Sequence, residues 1–269
     1  MSTTPITYQQ IRNATGRIVY NGLTILVDPM LCPKGEYPGF EIAKSPERKA
    51  MRNPLIDLPI SVEEVLKNLE AVILTHTHLD HWENHAAKLI PKYIPIFVQH
   101  AADKKLVQSQ GFADVRVVGI NTPFKGITIT KTGGQHGSDS MFAVPKVAEL
   151  LDESMGFVLR APGQKTVFFA GDTIWHEYVE LAINKYKPDY IVLNTGEATY
   201  DGFDGSLIMG TEDVKKCYEF CKTVKIITVH MDAINHCICT RDIMKKFVEE
   251  NKFGDRVIIP KDGELLHYN

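Results

Sequence analysis

Hydrophobic positions come in short bursts separated by turn-forming residues. Arg17-Ile18-Val19-Tyr20 and the run from Leu23 to Asp28 flank Asn21-Gly22. Both central positions of a tight hairpin turn need positive φ, so this dipeptide predicts a β-hairpin. The continuous apolar run Ala71-Val72-Ile73-Leu74-Thr75 predicts a buried strand. Similar bursts predict strands over 94–98, 115–118, 127–132, 156–160, 166–170, 190–193, 225–229 and 256–259. Ser61-Val62-Glu63-Glu64 opens a short helix, with a serine cap and an acidic first turn. Further helices are expected over 81–89 (stopped by Pro91), around 101–110 (ending at Gly111), over 178–186, over 211–223 behind a threonine cap, and over 240–251. Strands come first, then strands and helices alternate, which implies α/β layering with sheets covered by helices. Residues 32–59 break the pattern. They are rich in Pro and Gly, carry Lys34, Lys44, Arg48, Lys49 and Arg52, and read as a long ordered loop with one short helix. Loops of that length are usually functional or mobile.

Composition narrows the class. The 269 residues are 44% hydrophobic and 23% charged, enough apolar content for a sizeable core in one domain spanning 1–269. The net charge of −3 offers no basic excess for a nucleic-acid backbone. No apolar run approaches the roughly 18 residues of a membrane span, and Met1 to Gln10 lacks a signal-peptide layout. Five cysteines are an odd number and too few for a disulfide scaffold. Neither Cys217 and Cys221 nor Cys237-Ile238-Cys239 has zinc-site spacing, so buried reduced thiols and a cytoplasmic location are expected.

The chemistry is concentrated in Thr75-His76-Thr77-His78-Leu79-Asp80-His81, directly after a buried strand. His76 and His78 are two apart, so an extended turn sends both rings the same way. Asp80 and His81 follow and can point at a second, adjacent centre. Imidazole with carboxylate suits zinc, iron or manganese. Three later residues each stand just past a predicted strand: His136 in Gly133-Gly134-Gln135-His136-Gly137, Asp172 in Ala170-Gly171-Asp172-Thr173, and His230 after Ile226-Ile227-Thr228-Val229.

With these residues in place, the sequence resembles the metallo-β-lactamase fold superfamily of binuclear metal hydrolases, whose His-x-His-x-Asp-His signature the first motif fits. The resemblance implies a four-layer αββα sandwich, two sheets face to face with helices outside. It implies two divalent ions, zinc or manganese. His76, His78 and His136 would hold the first, Asp80, His81 and His230 the second, and Asp172 would bridge them. A looser likeness joins Ile11 to Thr15, Leu26 to Met30, Gly171 to Trp175, Val229 to His236 and Pro260 to Glu264 to the branch that includes L-ascorbate-6-phosphate lactonase.

Two such ions can share a hydroxide and lower the pKa of its parent water. The expected reaction is hydrolysis of a small polar ester, lactone or phosphodiester, with Asp80 also taking or relaying a proton. No Gly-x-Ser-x-Gly elbow offers a serine nucleophile. Asn194, Asn235, His236, Arg12, Arg48 and Arg52 are the candidate substrate contacts, the arginines as forked partners for an anionic group. Asp28, Asp232 and Glu197 are candidates to brace the ligating imidazoles. Trp82 and Trp175 adjoin ligands, and His100 and His176 are candidate pocket residues. The expected partner is a small molecule, without nucleic acid or membrane, and a homo-oligomer is compatible with this branch. Competing readings are a nuclease, disfavoured by charge; a di-iron redox protein, disfavoured by the all-histidine first site and the lack of a flavin domain; and a non-catalytic binding protein, disfavoured by the full ligand set. An exported β-lactamase is disfavoured by the missing signal peptide.

Overall fold

The structure, a computed structural model, describes residues 5–268. In chain order its strands are β1 (Ile6–Arg12), β2 (Thr15–Tyr20), β3 (Leu23–Val27), β4 (Tyr37–Pro38), β5 (Arg52–Asn53), β6 (Leu69–Ile73), β7 (Ile96–Val98), β8 (Val115–Val117), β9 (Thr122–Phe124), β10 (Ile127–Thr132), β11 (Gly156–Arg160), β12 (Val167–Phe169), β13 (Tyr190–Asn194), β14 (Lys225–Val229), β15 (Val257–Ile258) and β16 (Leu265–Tyr268). They form two seven-stranded sheets, ordered β16-β1-β2-β3-β6-β7-β8 and β15-β14-β13-β12-β11-β10-β9, plus the small pair β4-β5.

Alternation along each strand builds the layers, because successive side chains point to opposite faces. In β6, Ala71 and Ile73 face the second sheet, while Val72, and Leu74 just past the strand, face the helices outside. In β12, Val167 and Phe169 face inward and Phe168 outward, and in β13 Val192 faces inward between Ile191 and Leu193. The inner faces interlock where Tyr8 of β1 meets Phe169 of β12, ring centroids 6.0 Å apart, and Phe97 of β7 meets Phe124 of β9 at 5.1 Å. Helices Val62–Leu66, Asn84–Leu89 and Ala101–Ser109 pack on the first sheet, and helices Glu177–Tyr186, Thr211–Phe220 and Arg241–Asn251 on the second. The architecture is thus the expected four-layer sandwich of the metallo-β-lactamase fold. Among the described residues no helix is long and apolar enough to cross a membrane.

Strand direction gathers the chemistry at one edge. β12, β13 and β14 run parallel. β10 is antiparallel to β11 and β11 to β12, so β10 and β12 point the same way. The turns after β10, β12 and β14 therefore leave the second sheet at one edge, and the turn after β6 meets them from the first sheet.

The hairpin at Asn21-Gly22 has φ of 51° and 80° at these two residues. Some boundaries differ from expectation. The helix predicted over 81–89 begins at Asn84, with Glu83 as its cap accepting from Ala86 N and His85 N. His81 and Trp82 instead turn back on the carbonyl of His78. The cap of helix Thr211–Phe220 is Gly210, whose N–H donates to Asp213, rather than a threonine. Residues 32–59 hold helix Pro46–Lys49 and the β4-β5 pair. Strands β1, β9 and β16, and the helices Asp139–Phe142 and Pro145–Leu151, were not expected from the sequence.

Candidate metal centre

The seven residues His76, His78, Asp80, His81, His136, Asp172 and His230 converge at this edge. Their donor atoms form three overlapping groups: His76, His78 and His136; Asp80, His81 and His230; and His76, His81 and Asp172. Within each group the donor atoms lie within 4.8 Å of one another. Asp172 Oδ2 is the hub, 3.2 Å from His81 Nε2, 3.7 Å from His230 Nε2, 3.8 Å from His136 Nε2 and 3.9 Å from His76 Nε2. Asp80 Oδ2 sits 3.2 Å from His230 Nε2 and 3.7 Å from His81 Nε2.

The outer nitrogen of each imidazole is braced, and the braces decide which nitrogen faces the cluster. His136 Nδ1–H donates to Leu207 O at 3.0 Å, leaving Nε2 bare. His78 is the reverse: Nε2–H donates to Leu150 O at 3.1 Å, leaving Nδ1. Asp28 fixes two rings at once. Its Oδ2 accepts from His81 Nδ1 at 3.0 Å and from the Thr75 hydroxyl at 2.7 Å. With its proton committed, Thr75 Oγ1 accepts from His76 Nδ1 at 3.0 Å. Behind His230 lies sulfur, with Cys237 Sγ 3.6 Å from Nδ1. Asn194 Nδ2 donates to Asp172 Oδ1 at 2.6 Å and turns Oδ2 toward the imidazoles.

Backbone geometry supports these placements. Asp28 and His230 hold φ of 44° and 64°, a region L-residues seldom adopt. Such a conformation persists where the surroundings over-determine it. His230 N is tied to Asn13 O at 3.0 Å, and Asn13 Nδ2 reaches Asp80 O at 3.1 Å. Gly171 has φ of 71°, and a Cβ there would meet Met155 O at 2.4 Å, so the residue before Asp172 has to be glycine.

The electrostatics ask for a cation. His76 Nε2 is buried and has no hydrogen-bond partner, and burial with His81 and His78 beside it holds the ring well below the usual histidine range. Burial disfavours charge on His81, but Asp172, Asp80 and Asp28 outweigh it and push it up to about 10. Burial alone would raise Asp80 and Asp172, yet the surrounding imidazoles hold both well below the usual carboxylate range. Bare imidazole nitrogens converging on buried ionised carboxylates fit divalent ions with nitrogen and oxygen ligands.

A cavity of about 290 Å³ opens over the cluster. Phe40, Ile42, Leu79, Leu150, Leu151 and Leu207 form its apolar wall, Glu41 lies at its rim, and His78, Asp80, His136, Asp172 and His236 supply the polar surface. It has no lysine or arginine in its lining. That changes the reading of several candidates. Arg12 is fully buried, and its guanidinium donates to Ile56 O, Met30 O and Cys32 O. Arg48 donates to Asn235 O and Cys237 O, and Arg52 to Gly35 O and Glu36 O. All three arginines expected at an anionic substrate instead donate to backbone carbonyls, Arg12 and Arg52 holding the 32–60 segment and Arg48 tying it to residues 235 and 237.

Asn235 is likewise a strut and does not line the cavity. Its side chain accepts from Phe40 N and Asn53 Nδ2 and donates to Phe40 O and Arg48 O, at 2.8 to 2.9 Å. It therefore pins the cavity wall. Asn235→Ala is expected to leave metal content unchanged and to raise KM about tenfold. The reason is the loss of partners for several buried groups at about 1–3 kcal/mol each. Steady-state kinetics beside metal analysis checks this, and an unchanged KM would contradict it. Asn194 braces Asp172, as above. Asp232 is spent on Arg241, and Trp82 and Trp175 on Gln110 and Glu180. Glu197 braces no ligating imidazole; it packs against Gly210, and burial pushes its carboxyl up. His100 and His176 cap helices. Thr75, Asn13 and Cys237 were not foreseen at the centre. Thr75 stood inside the ligand motif, and Cys237 lies seven residues beyond His230.

Residues 24–231 match the family described as the Beta-lactamase superfamily domain. The chain is 40% identical over 257 residues to the UPF0173 protein YddR of Bacillus subtilis (strain 168), covering 95% of this chain and 97% of that one. The crystal structure of a possible metal-dependent hydrolase from Veillonella parvula DSM 2008 superposes with a TM-score of 0.94 at 44% identity, covering 98% of this chain and 99% of that one. That of an isothiocyanate hydrolase from Delia radicum gut bacteria superposes with a TM-score of 0.93 at 40% identity, covering 97% and 99%.

Proposed function

Because this chain belongs to the Beta-lactamase superfamily domain family and to its UPF0173 members, we propose that it is a metal-dependent hydrolase of a small uncharged electrophile, with isothiocyanates as the substrate class. His76, His78 and His136, Asp80, His81 and His230, and Asp172 would hold two divalent ions, zinc or manganese. When bound, they supply Lewis-acid polarisation and a water of lowered pKa.

The observation that carries the substrate class is the cavity wall, which is apolar and has no lysine or arginine in it. A phosphodiester, or the phosphate of an ascorbate-phosphate lactone, would bring an anion to a surface without a cationic side chain. An isothiocyanate brings a neutral, polarisable carbon and an apolar tail. The 40% identity to the isothiocyanate hydrolase supports the same choice. Hydrolysis adds water's oxygen to the central carbon and breaks the carbon–nitrogen bond. Both protons of the water end on nitrogen, and an amine and carbonyl sulfide leave.

The chain's own residues divide the work. Phe40, Ile42 and Leu150 seat the tail and exclude water. Asp80 reaches the cavity with Oδ2 turned to His230 and no described side chain donating to Oδ1, so Oδ1 is the atom that takes the proton of the attacking water. Asn194 keeps Asp172 from rotating. An uncharged ester or lactone carbonyl is the second reading, since it presents the same neutral carbon to the same wall.

The test is turnover of benzyl isothiocyanate, followed by benzylamine release, against p-nitrophenyl acetate and bis(p-nitrophenyl) phosphate. The expected order is isothiocyanate first, with kcat/KM about 100-fold or more above the phosphodiester, a difference of about 2.7 kcal/mol in transition-state binding. A phosphodiester preference would overturn the reading.

A further inference from the structure

One imidazole in the cavity belongs to no donor group. His236 lines the cavity and is 6% exposed. Among the described residues neither ring nitrogen has a hydrogen-bond partner, and Nδ1 is wholly shielded. The ring is held instead by an edge-to-face contact with Phe40, centroids 4.9 Å apart. Asp80 beside it has Oδ1 without a described donor, while three other neighbours are committed. His78 bonds Leu150 O, His136 bonds Leu207 O, and Asp172 is shared between Asn194 and the imidazoles. A buried polar ring left without a partner is a standing cost to the fold. Nδ1 is closed off, so Nε2 is the ring nitrogen that a ligand in the cavity can reach.

We propose that His236 hydrogen-bonds directly to the substrate, at the heteroatom joined to the carbon under attack. This deepens the hydrolase reading and rests on it. It names the group that orients a small uncharged electrophile, which the apolar wall alone cannot do. His236 sits one residue after Asn235, the strut that pins Phe40, so ring and wall are set by the same short segment.

Two variants separate contact from packing. His236→Phe keeps an aromatic ring on Phe40 without a polar atom, and His236→Gln restores a polar atom without the ring. With benzyl isothiocyanate, His236→Phe is expected to lose about 100-fold in kcat or more while KM stays within about threefold, as for the loss of one oriented donor. His236→Gln is expected to recover about tenfold of that. Metal content and melting temperature should match the unaltered protein. A second readout needs no turnover: benzylurea, a neutral analogue of the attacked carbon, is titrated by calorimetry. His236→Phe should bind it about tenfold more weakly. If the unaltered protein does not turn over benzyl isothiocyanate, the isothiocyanate reading fails and the benzylurea result alone decides the role of His236. Equal benzylurea affinity, or none in either protein, overturns the contact, as does kcat within about threefold in both variants.

Discussion

Asp172→Ala is expected to lose metal and about 10³-fold or more in kcat/KM, which corresponds to roughly 4 kcal/mol of transition-state stabilisation. The reason is its position. Four imidazole nitrogens lie within 3.9 Å of one oxygen of this residue, and it joins the donor group of His76 and His81 to the other two. Removing the carboxylate leaves buried histidines facing one another with no anion among them. The fold should survive, because the strands on either side are held by inner-face packing around Phe157 and Phe169. Metal analysis with steady-state kinetics on the folded variant checks this. Retention of full metal content and activity within about tenfold would show that Asp172 is not the hub. Asp172→Asn is a milder form: it keeps shape and the contact with Asn194 but loses the charge.

Asp28→Ala is expected to have the largest effect on stability. Asp28 is 1% exposed and accepts from Thr75 N at 2.7 Å, the Thr75 hydroxyl at 2.7 Å and His81 Nδ1 at 3.0 Å. Alanine strands these donors inside the sandwich. Buried donors without acceptors cost about 1–3 kcal/mol each, and breaking a buried charged partner costs about 3–5 kcal/mol in all. The same change frees two ligating rings, His81 directly and His76 through Thr75, so metal affinity should drop about 10- to 100-fold. Urea unfolding of the metal-free protein reads the first effect and competition with a chelator reads the second. A loss of less than about 1 kcal/mol, with affinity unchanged, would mean that Asp28 only closes a turn.

The split between these two residues shows what the sequence carries. Asp172 was legible because it follows an apolar strand, as do His136 and His230, and a strand end is a fixed place in a parallel arrangement. Asp28 was legible only as one of three brace candidates. Asp232 and Glu197 stand in similar local sequence, but only Asp28 faces Thr75 across the β3-β6 pair. Arg12 and Arg52 misled for a related reason. A guanidinium that donates to backbone carbonyls looks, in sequence, the same as one that waits for an anion. The carbonyls it meets belong to residues up to 44 positions away. Strand β1 escaped notice because Gln10 occupies an inward position that the alternation rule reserves for apolar side chains. It is satisfied there by Tyr8 and by Asn13 O. His236 was legible as a nearby histidine, but that its ring lacks a partner is a fact of packing.

Seven side chains at one sheet edge are proposed to form a two-ion hydrolytic centre. Inductively coupled plasma mass spectrometry on protein purified without added metal or chelator tests it most directly, with Asp172→Ala alongside. About two equivalents of zinc or manganese per chain are expected, reduced in the variant, from a site with three overlapping donor groups. Less than about one equivalent, with no uptake when metal is supplied, would contradict it.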